Sequence, residues 1–194
     1  MTAPFPIILA SASPRRRELL GGMGVRFEVV TARVRELDGV TARHLAPVDL
    51  AGENARRKAK AVATLRPGRW VLGADTVVTL GKRIMGKPVS IDQAREFLEA
   101  LSGQTHEVIT ACALIDPDGA VEIFHEISRV TLRVLSFETI GRYVGEVNVL
   151  DKAGAYALQE RGEWIVERVE GSRTNVIGLP TEALETVFIR RGLL

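Results

Sequence analysis

The sequence predicts an α/β protein, and three observations carry the prediction. Short branched apolar runs that read as strands alternate with longer stretches of helical period. The first such run leads directly into a capped helix start at Ser13-Pro14. Two long runs that read as strands, the second of them alternating, flank Asp116-Pro117-Asp118-Gly119, a hairpin signal of good quality. The chain has 194 residues, which suits one sizeable domain over 1–194 with room for two lobes.

Pro6-Ile7-Ile8-Leu9-Ala10 reads as a buried strand. Ser13 then reads as an N-cap and Pro14 as the first helical residue. Leu19, Leu20 and Met23 form the apolar side of that helix, and Gly21, Gly22 and Gly24 end it. Arg15 and Arg16 fall in the first turn, where the helix already carries partial positive charge. Ser11, Ser13, free backbone N–H groups and the arginines 15–17 would converge there. An anion, most simply a phosphate, would fill such a site; the alternative is three arginines splayed into water. The chain contains neither a G-x-x-x-x-G-K-S/T run nor a G-x-G-x-x-G run.

Residues 26–30 read as a second strand, and a polar loop over 33–39 follows. Its Glu36 is either a catalytic or metal carboxylate or a solvated side chain. Residues 47–65 have helical period, with a small apolar stripe of Ala51, Ala55, Ala59, Val62 and Ala63. Lys58 flanks the stripe. It either snorkels to water or points into a cleft.

Residues 70–78 read as a strand interrupted by Asp75. A carboxylate inside an apolar run is costly to bury unless it is paired, hydrogen-bonded or metal-bound. The alternative is a bulge whose aspartate caps nearby N–H groups. Gly73 would let the backbone kink or a ligand approach closely. Residues 80–83 read as a hairpin turn, and the return strand ends at Gly86-Lys87-Pro88 with Lys87 at its tip, placed to meet a phosphate.

Ser90 caps a helix over 91–101 that buries Ala94, Phe97, Leu98 and Leu101. Residues 105–115 and 120–135 are the two long hairpin strands, and the alternation of the second breaks near Ile127-Ser128, suggesting a bulge. His106 and His125 lack metal-ligand spacing and read as structural. Ser136 caps a helix over 137–144. The small residues around Asp151-Lys152-Ala153-Gly154-Ala155-Tyr156 leave room against the backbone, with Asp151-Lys152 read as a surface ion pair and Gln159 as a polar strand end. Residues 164–169 read as a strand, 171–175 as a polar loop, and a last helix runs from Pro180 to about Arg191.

Composition excludes several classes. With 46% hydrophobic and 26% charged residues, a real core can form and disorder is not expected. A net charge of +2 argues against a nucleic-acid-binding surface. The single cysteine, Cys112, sits in an apolar run and reads as core. No stretch is long and apolar enough for a membrane span or a signal peptide, so a cytoplasmic protein is expected.

Six runs, taken together and in order, resemble the Maf family: Leu9-Ala10-Ser11-Ala12-Ser13-Pro14-Arg15-Arg16, Gly73-Ala74-Asp75-Thr76, Gly86-Lys87-Pro88, Leu101-Ser102-Gly103-Gln104-Thr105-His106, Asp151-Lys152-Ala153-Gly154-Ala155-Tyr156 and Val176-Ile177-Gly178-Leu179-Pro180. The resemblance implies an α/β fold with a mixed, twisted sheet flanked by helices and a central cleft between two lobes, as in ITPase-like proteins, often dimeric. It implies a nucleoside triphosphate pyrophosphatase that releases pyrophosphate and a nucleoside monophosphate with a divalent metal, Mg²⁺ or Mn²⁺. Asp75 matches the family's proton acceptor. Ser11, Arg15, Arg16, Lys58, Thr76, Lys87 and Gln159 match substrate-binding positions, and Glu36 with Asp75 would hold the metal.

The Asp151-Lys152 run followed by Gln159 is similar to the branch that prefers dTTP and UTP, with Arg16, Thr76 and Gln159 carried over as specificity positions. Ala157-Leu158-Gln159-Glu160 stands where that branch often has Gly-Ile-Gln-Gly. The rival expectations are a 7-methyl-GTP pyrophosphatase and a non-catalytic nucleotide-binding regulator of septum formation.

Overall fold

Strand and helix follow one another as the apolar pattern requires. In the computed structural model, which describes residues 6–31, 33–39, 41–42 and 44–194, the first half runs β1 (Ile7–Leu9), α1 (Pro14–Gly22), β2 (Phe27–Val29), α2 (Pro47–Leu65), β3 (Val71–Leu80), β4 (Arg83–Met85) and α3 (Ile91–Leu101). The second half runs β5 (Thr105–Ile115), β6 (Val121–Leu132), α4 (Phe137–Glu146), two 3-10 turns (Val149–Asp151 and Ala153–Ala155), α5 (Gly162–Ile165), β7 (Val166–Glu170), α6 (Arg173–Ile177) and α7 (Thr181–Arg190). The strands form one mixed sheet in the order β2-β1-β3-β5-β6-β7, with β4 also paired to β3. β1 is parallel to β2 and β3; every other pairing is antiparallel.

The ladder on one edge of β3 places the site. β1 pairs only with Val71 and Leu72 at the start of that strand, and β4 only with Val78, Thr79 and Leu80 at its end. Between them, residues 73–77 have no strand neighbour on that side among the described residues, while the other edge is paired to β5 throughout. Asp75 and Thr76 sit in this gap. Successive side chains of a strand point to opposite faces, so one face of the gap presents Asp75 and the other Thr76.

Helices cover both faces. α2 lies on the Gly73–Asp75–Val77 face, where Ala55 and Ala59 pack with Val71 and Ala113, and Leu50 and Ala51 with Val77. α1 and α7 cover the opposite face through Leu20, Leu184 and Phe188 against Leu72 and Ala74. A separate apolar cluster joins the far end of β3 to α3, α4 and the 3-10 turns. The cleft lies between this cluster and the others, the two-lobed arrangement expected.

Several local expectations change. Gly73 neither kinks β3 nor admits a ligand; the β3–β5 register is continuous there. A Cβ at Gly73 would stand 2.3 Å from the Ala55 carbonyl oxygen, so the glycine lets α2 lie directly on the strand. Residues 127–128 carry no bulge, since β5 and β6 pair without a shift. The alternation breaks because Val121, Ile123 and Ile127 lie on an exposed face; the register shift occurs at Thr131/Leu132 against β7. The strand expected from residue 164 starts at Val166. A left-handed Arg161, φ 56°, turns the chain into α5, where Trp164 is stacked under the guanidinium of Arg142 at 4.1 Å. The polar loop over 171–175 is largely α6, because Ser172 accepts the N–H of Asn175 as an N-cap. Cys112 is fully buried, as expected, and burial pushes its thiol up to about 12.

Candidate active site

One cleft of about 1280 Å³ opens at the gap in the sheet edge. Its walls include Ser11, Arg15, Arg16, Glu36 and Lys58, together with Asp75, Thr76, Lys87 and Gln159. Every site residue that the family resemblance implied therefore lines the same space, although they come from β3, α1, α2 and four separate loops.

Asp75 is buried and both of its oxygens are engaged. Oδ1 accepts from Lys58 Nζ at 2.6 Å and Oδ2 from Asn54 Nδ2 at 3.1 Å. Asn54 and Lys58 are one turn apart on α2, so they share a face. Lys58 does not snorkel. It is buried because Gly73 admits the helix close to the strand, and it meets Glu36 Oε1 at 2.8 Å as well. Glu36, its side chain 41% exposed, is thus partly solvated but tied to the cleft by Lys58. Burial pushes its carboxyl up, but Lys58, Lys87 and Arg16 outweigh this and hold it below the usual glutamate range. Asn54 fastens the loop that carries Glu36: it accepts the N–H of Leu37 at 2.8 Å and donates to its carbonyl at 2.9 Å. Sequence reasoning missed Asn54; its signal was the spacing of four from Lys58 on the helix face turned toward Asp75.

The helix start is built as expected in outline. Ser13 caps α1 by accepting the N–H of Arg16, which is therefore not free, and Ser11 Oγ accepts the N–H of Ser13 at 3.2 Å. Of the three arginines only two converge: Arg17 is exposed and outside the cleft. Arg15 and Arg16 differ in their partners. Arg15 meets Asp151 Oδ2 at 3.1 Å and Glu160 Oε1 at 3.9 Å. Lys152 Nζ joins the same two carboxylates at 2.8 and 3.1 Å. The Asp151-Lys152 pair is thus no surface pair, for Lys152 is buried and also donates to the Asn148 carbonyl.

Arg16 makes its hydrogen bonds to neutral oxygens: Gly178 O at 2.8 Å, Thr76 Oγ1 at 3.0 Å and Ser11 Oγ at 3.4 Å. Burial pushes its guanidinium below the ordinary arginine value. A half-buried cation held by neutral acceptors favours an incoming anion. Lys87, on the loop after β4, is more exposed and only 4.0 Å from Glu36. Gln159 is in a turn on the cleft rim rather than at a strand end. His106 takes no part; it is buried against Tyr156, ring nitrogen to hydroxyl, at 2.7 Å.

Glu36 and Asp75 converge on the same ammonium group, so their oxygens lie close together, and both are hard ligands suited to Mg²⁺ or Mn²⁺. No cluster of three or more acidic, histidine or cysteine ligands occurs among the described residues. Two carboxylates fit a Mg²⁺ site that draws its remaining oxygens from substrate phosphates and water. No described helix is long and apolar enough to cross a membrane.

The family described as "Maf-like protein" matches residues 6–190. A dTTP/UTP pyrophosphatase of Nitratidesulfovibrio vulgaris is 42% identical over 193 residues, covering 100% of this chain and 91% of that protein. One of Myxococcus xanthus is 43% identical over 187 residues, covering 96% and 93%. Among solved structures, the Staphylococcus aureus Ham1 protein aligns with a TM-score of 0.52 at 15% identity, over 95% of this chain and 98% of that one. The HAM1 protein of Coxiella burnetii gives 0.52 at 17% identity, over the same shares. At these identities the two structures support the fold alone.

Proposed function

Because the chain belongs to the Maf family, we propose that it hydrolyses dTTP and UTP to the nucleoside monophosphate and pyrophosphate. The observation that carries the reading is one shared cleft. It joins a buried carboxylate held by Lys58 and Asn54 to an arginine whose hydrogen-bond partners are all neutral, in a chain more than two-fifths identical to dTTP/UTP pyrophosphatases over nearly full length.

In the proposed chemistry Arg16 and Lys87 grip the phosphates. Arg15 and Lys152, already matched by Asp151 and Glu160, form the wall beside them. Asp75 takes a proton from the water that attacks the α-phosphorus. The bond from that phosphorus to the bridging oxygen breaks, and pyrophosphate leaves with the electron pair. Most of the rate comes from positioning and charge neutralisation, which fixed donors in a half-buried cleft supply without reorganisation. Glu36 and Asp75 would hold a divalent cation, which supplies charge neutralisation at the phosphates when bound. Thr76 and Gln159, with Arg16, are the proposed specificity positions. The reading extends to a homodimer, which sedimentation would test, and to the cytoplasm, which cell fractionation would test.

The test is a panel of triphosphates (dTTP, UTP, dCTP, GTP and 7-methyl-GTP) with Mg²⁺ or Mn²⁺ and pyrophosphate release as readout. Highest kcat/KM for dTTP and UTP is expected. A preference for 7-methyl-GTP would replace the substrate, and no release with any nucleotide would leave a binding protein.

A further inference from the structure

Asn175 is fully buried, in a segment whose sequence reads as a polar loop and which folds as α6. Its side-chain amide is fully employed. Oδ1 accepts the backbone N–H of Thr110 at 3.1 Å, and Nδ2 donates to the Val108 carbonyl at 3.0 Å and to Ser128 Oγ at 2.8 Å. These bonds pin α6 to β5 and β6. The Asn175 carbonyl is employed as well: it accepts Thr110 Oγ1–H at 2.9 Å and the N–H of Gly178 at 3.0 Å.

Two hydrogen-bonded paths lead from that carbonyl to Arg16. Along the first, Thr110 has spent its single hydroxyl proton on Asn175, so its oxygen can only accept from Thr76, 2.9 Å away. Thr76 thereby spends its own proton inward and turns a lone pair to Arg16 Nη2 at 3.0 Å. The chain of donors runs one way, from guanidinium to Thr76 to Thr110 to Asn175. Along the second, Gly178 closes α6 at φ 123° and sets its carbonyl on Arg16 Nε at 2.8 Å. A side chain at Gly178 would be strained at that φ, and its Cβ would come into contact with Thr76 Oγ1 at 3.5 Å and Arg16 Nε at 3.7 Å.

We propose that Asn175 is a positioning residue for Arg16: through Thr110 and Thr76 on one path and Gly178 on the other, it orients two of the three acceptors, Thr76 Oγ1 and the Gly178 carbonyl, that aim the guanidinium at the substrate's phosphates. This rests on the reading of the cleft as a triphosphate site. The role is positional, because Asn175 itself does not line the cleft.

Thr110→Val breaks the first path with little change in shape, and Thr110→Ser restores it. Both are measured in the full-length protein by steady-state pyrophosphate release from dTTP and by calorimetric binding of inorganic tripolyphosphate. A phosphate clamp that acts equally in ground and transition states appears in KM, so Thr110→Val raises KM roughly tenfold and changes kcat by less than about threefold. Thr110→Ser stays near the parent. In an Arg16→Lys background, Thr110→Val weakens tripolyphosphate binding no further, because the residues act through one another. An additive effect in that background, or a Thr110→Val protein that loses thermal stability at unchanged KM, overturns the proposal.

Should Thr110→Val fail to fold, Ser128→Ala loosens the Asn175 amide from outside the cleft. It then raises KM by roughly threefold in the parent and not in Arg16→Lys, and an unchanged KM overturns the proposal. A parent that releases no pyrophosphate from dTTP ends the pyrophosphatase reading instead. Tripolyphosphate binding alone then decides the role of Asn175, for equal affinities of parent and Thr110→Val reject it.

Discussion

Lys58 and Asp75 meet at 2.6 Å, the one in the middle of α2 and the other in the middle of β3. Both side chains are almost wholly buried, so neither charge has water as a substitute partner. The pair ties the helix to the strand at the point where the sheet edge opens. It also leaves the second Asp75 oxygen to Asn54 and sets Glu36 beside it.

Asp75→Asn keeps the shape of the side chain and removes its capacity to take a proton. Turnover of dTTP is expected to fall by roughly 10²–10⁴-fold, the usual loss for a general base. Pyrophosphate release measured beside the circular dichroism of the folded variant checks this. Turnover within tenfold of the parent would assign water activation to another group.

Lys58→Met leaves Asp75 and Glu36 facing each other with no cation between them. Breaking one side of a buried pair costs about 3–5 kcal/mol. Urea unfolding should show a loss of that order, and Asp75→Asn in the same chain should recover part of it. Additive losses in the double variant would mean that the two charges are not coupled.

Gly73→Ala would drive a methyl group to 2.3 Å from the Ala55 carbonyl and 2.8 Å from the Ala59 nitrogen. Backbone on both sides leaves no flexible atom to yield, so α2 must lift from β3. Overpacking of this kind costs about 1–3 kcal/mol. Because Lys58 rides on the same helix, kcat for dTTP should fall as well. Unchanged melting temperature and kcat would show that the helix moves freely.

His106 makes stability depend on pH. Burial lowers its pKa from 6.5 to about 4, so between these values the unfolded chain binds the proton and the folded one does not. Stability is therefore full above pH 6.5 and falls as the pH drops toward 4. The integrated loss is roughly 3 kcal/mol. Melting temperatures across pH 7 to about 4.5 should fall more steeply in the parent than in His106→Gln. Parallel curves would place the acid sensitivity elsewhere.

Much of the fold was legible because its signals are local. Ser13-Pro14 and Ser90 start helices through bonds to residues three positions on. The bounds of α2 and α3 follow from apolar spacing, and Asp116 to Gly119 closes the β5–β6 hairpin. Asp75 was legible too, since a carboxylate in an apolar run demands a partner wherever the chain folds. These features need no knowledge of distant residues.

The tertiary structure alone decided which partner each polar group found. Lys58 could have reached water; the contact of α2 with Gly73 turned it onto Asp75, 17 positions away. Asn175 read as loop because its amide answers backbone groups of β5 65 positions earlier. Arg15 and Arg16 are neighbours with the same chemistry, yet one faces carboxylates and the other neutral oxygens. Periodicity records which face a residue occupies, and composition records what it can bond. Which groups meet across the cleft depends on how sheet and helices pack, and that is a property of the assembled chain.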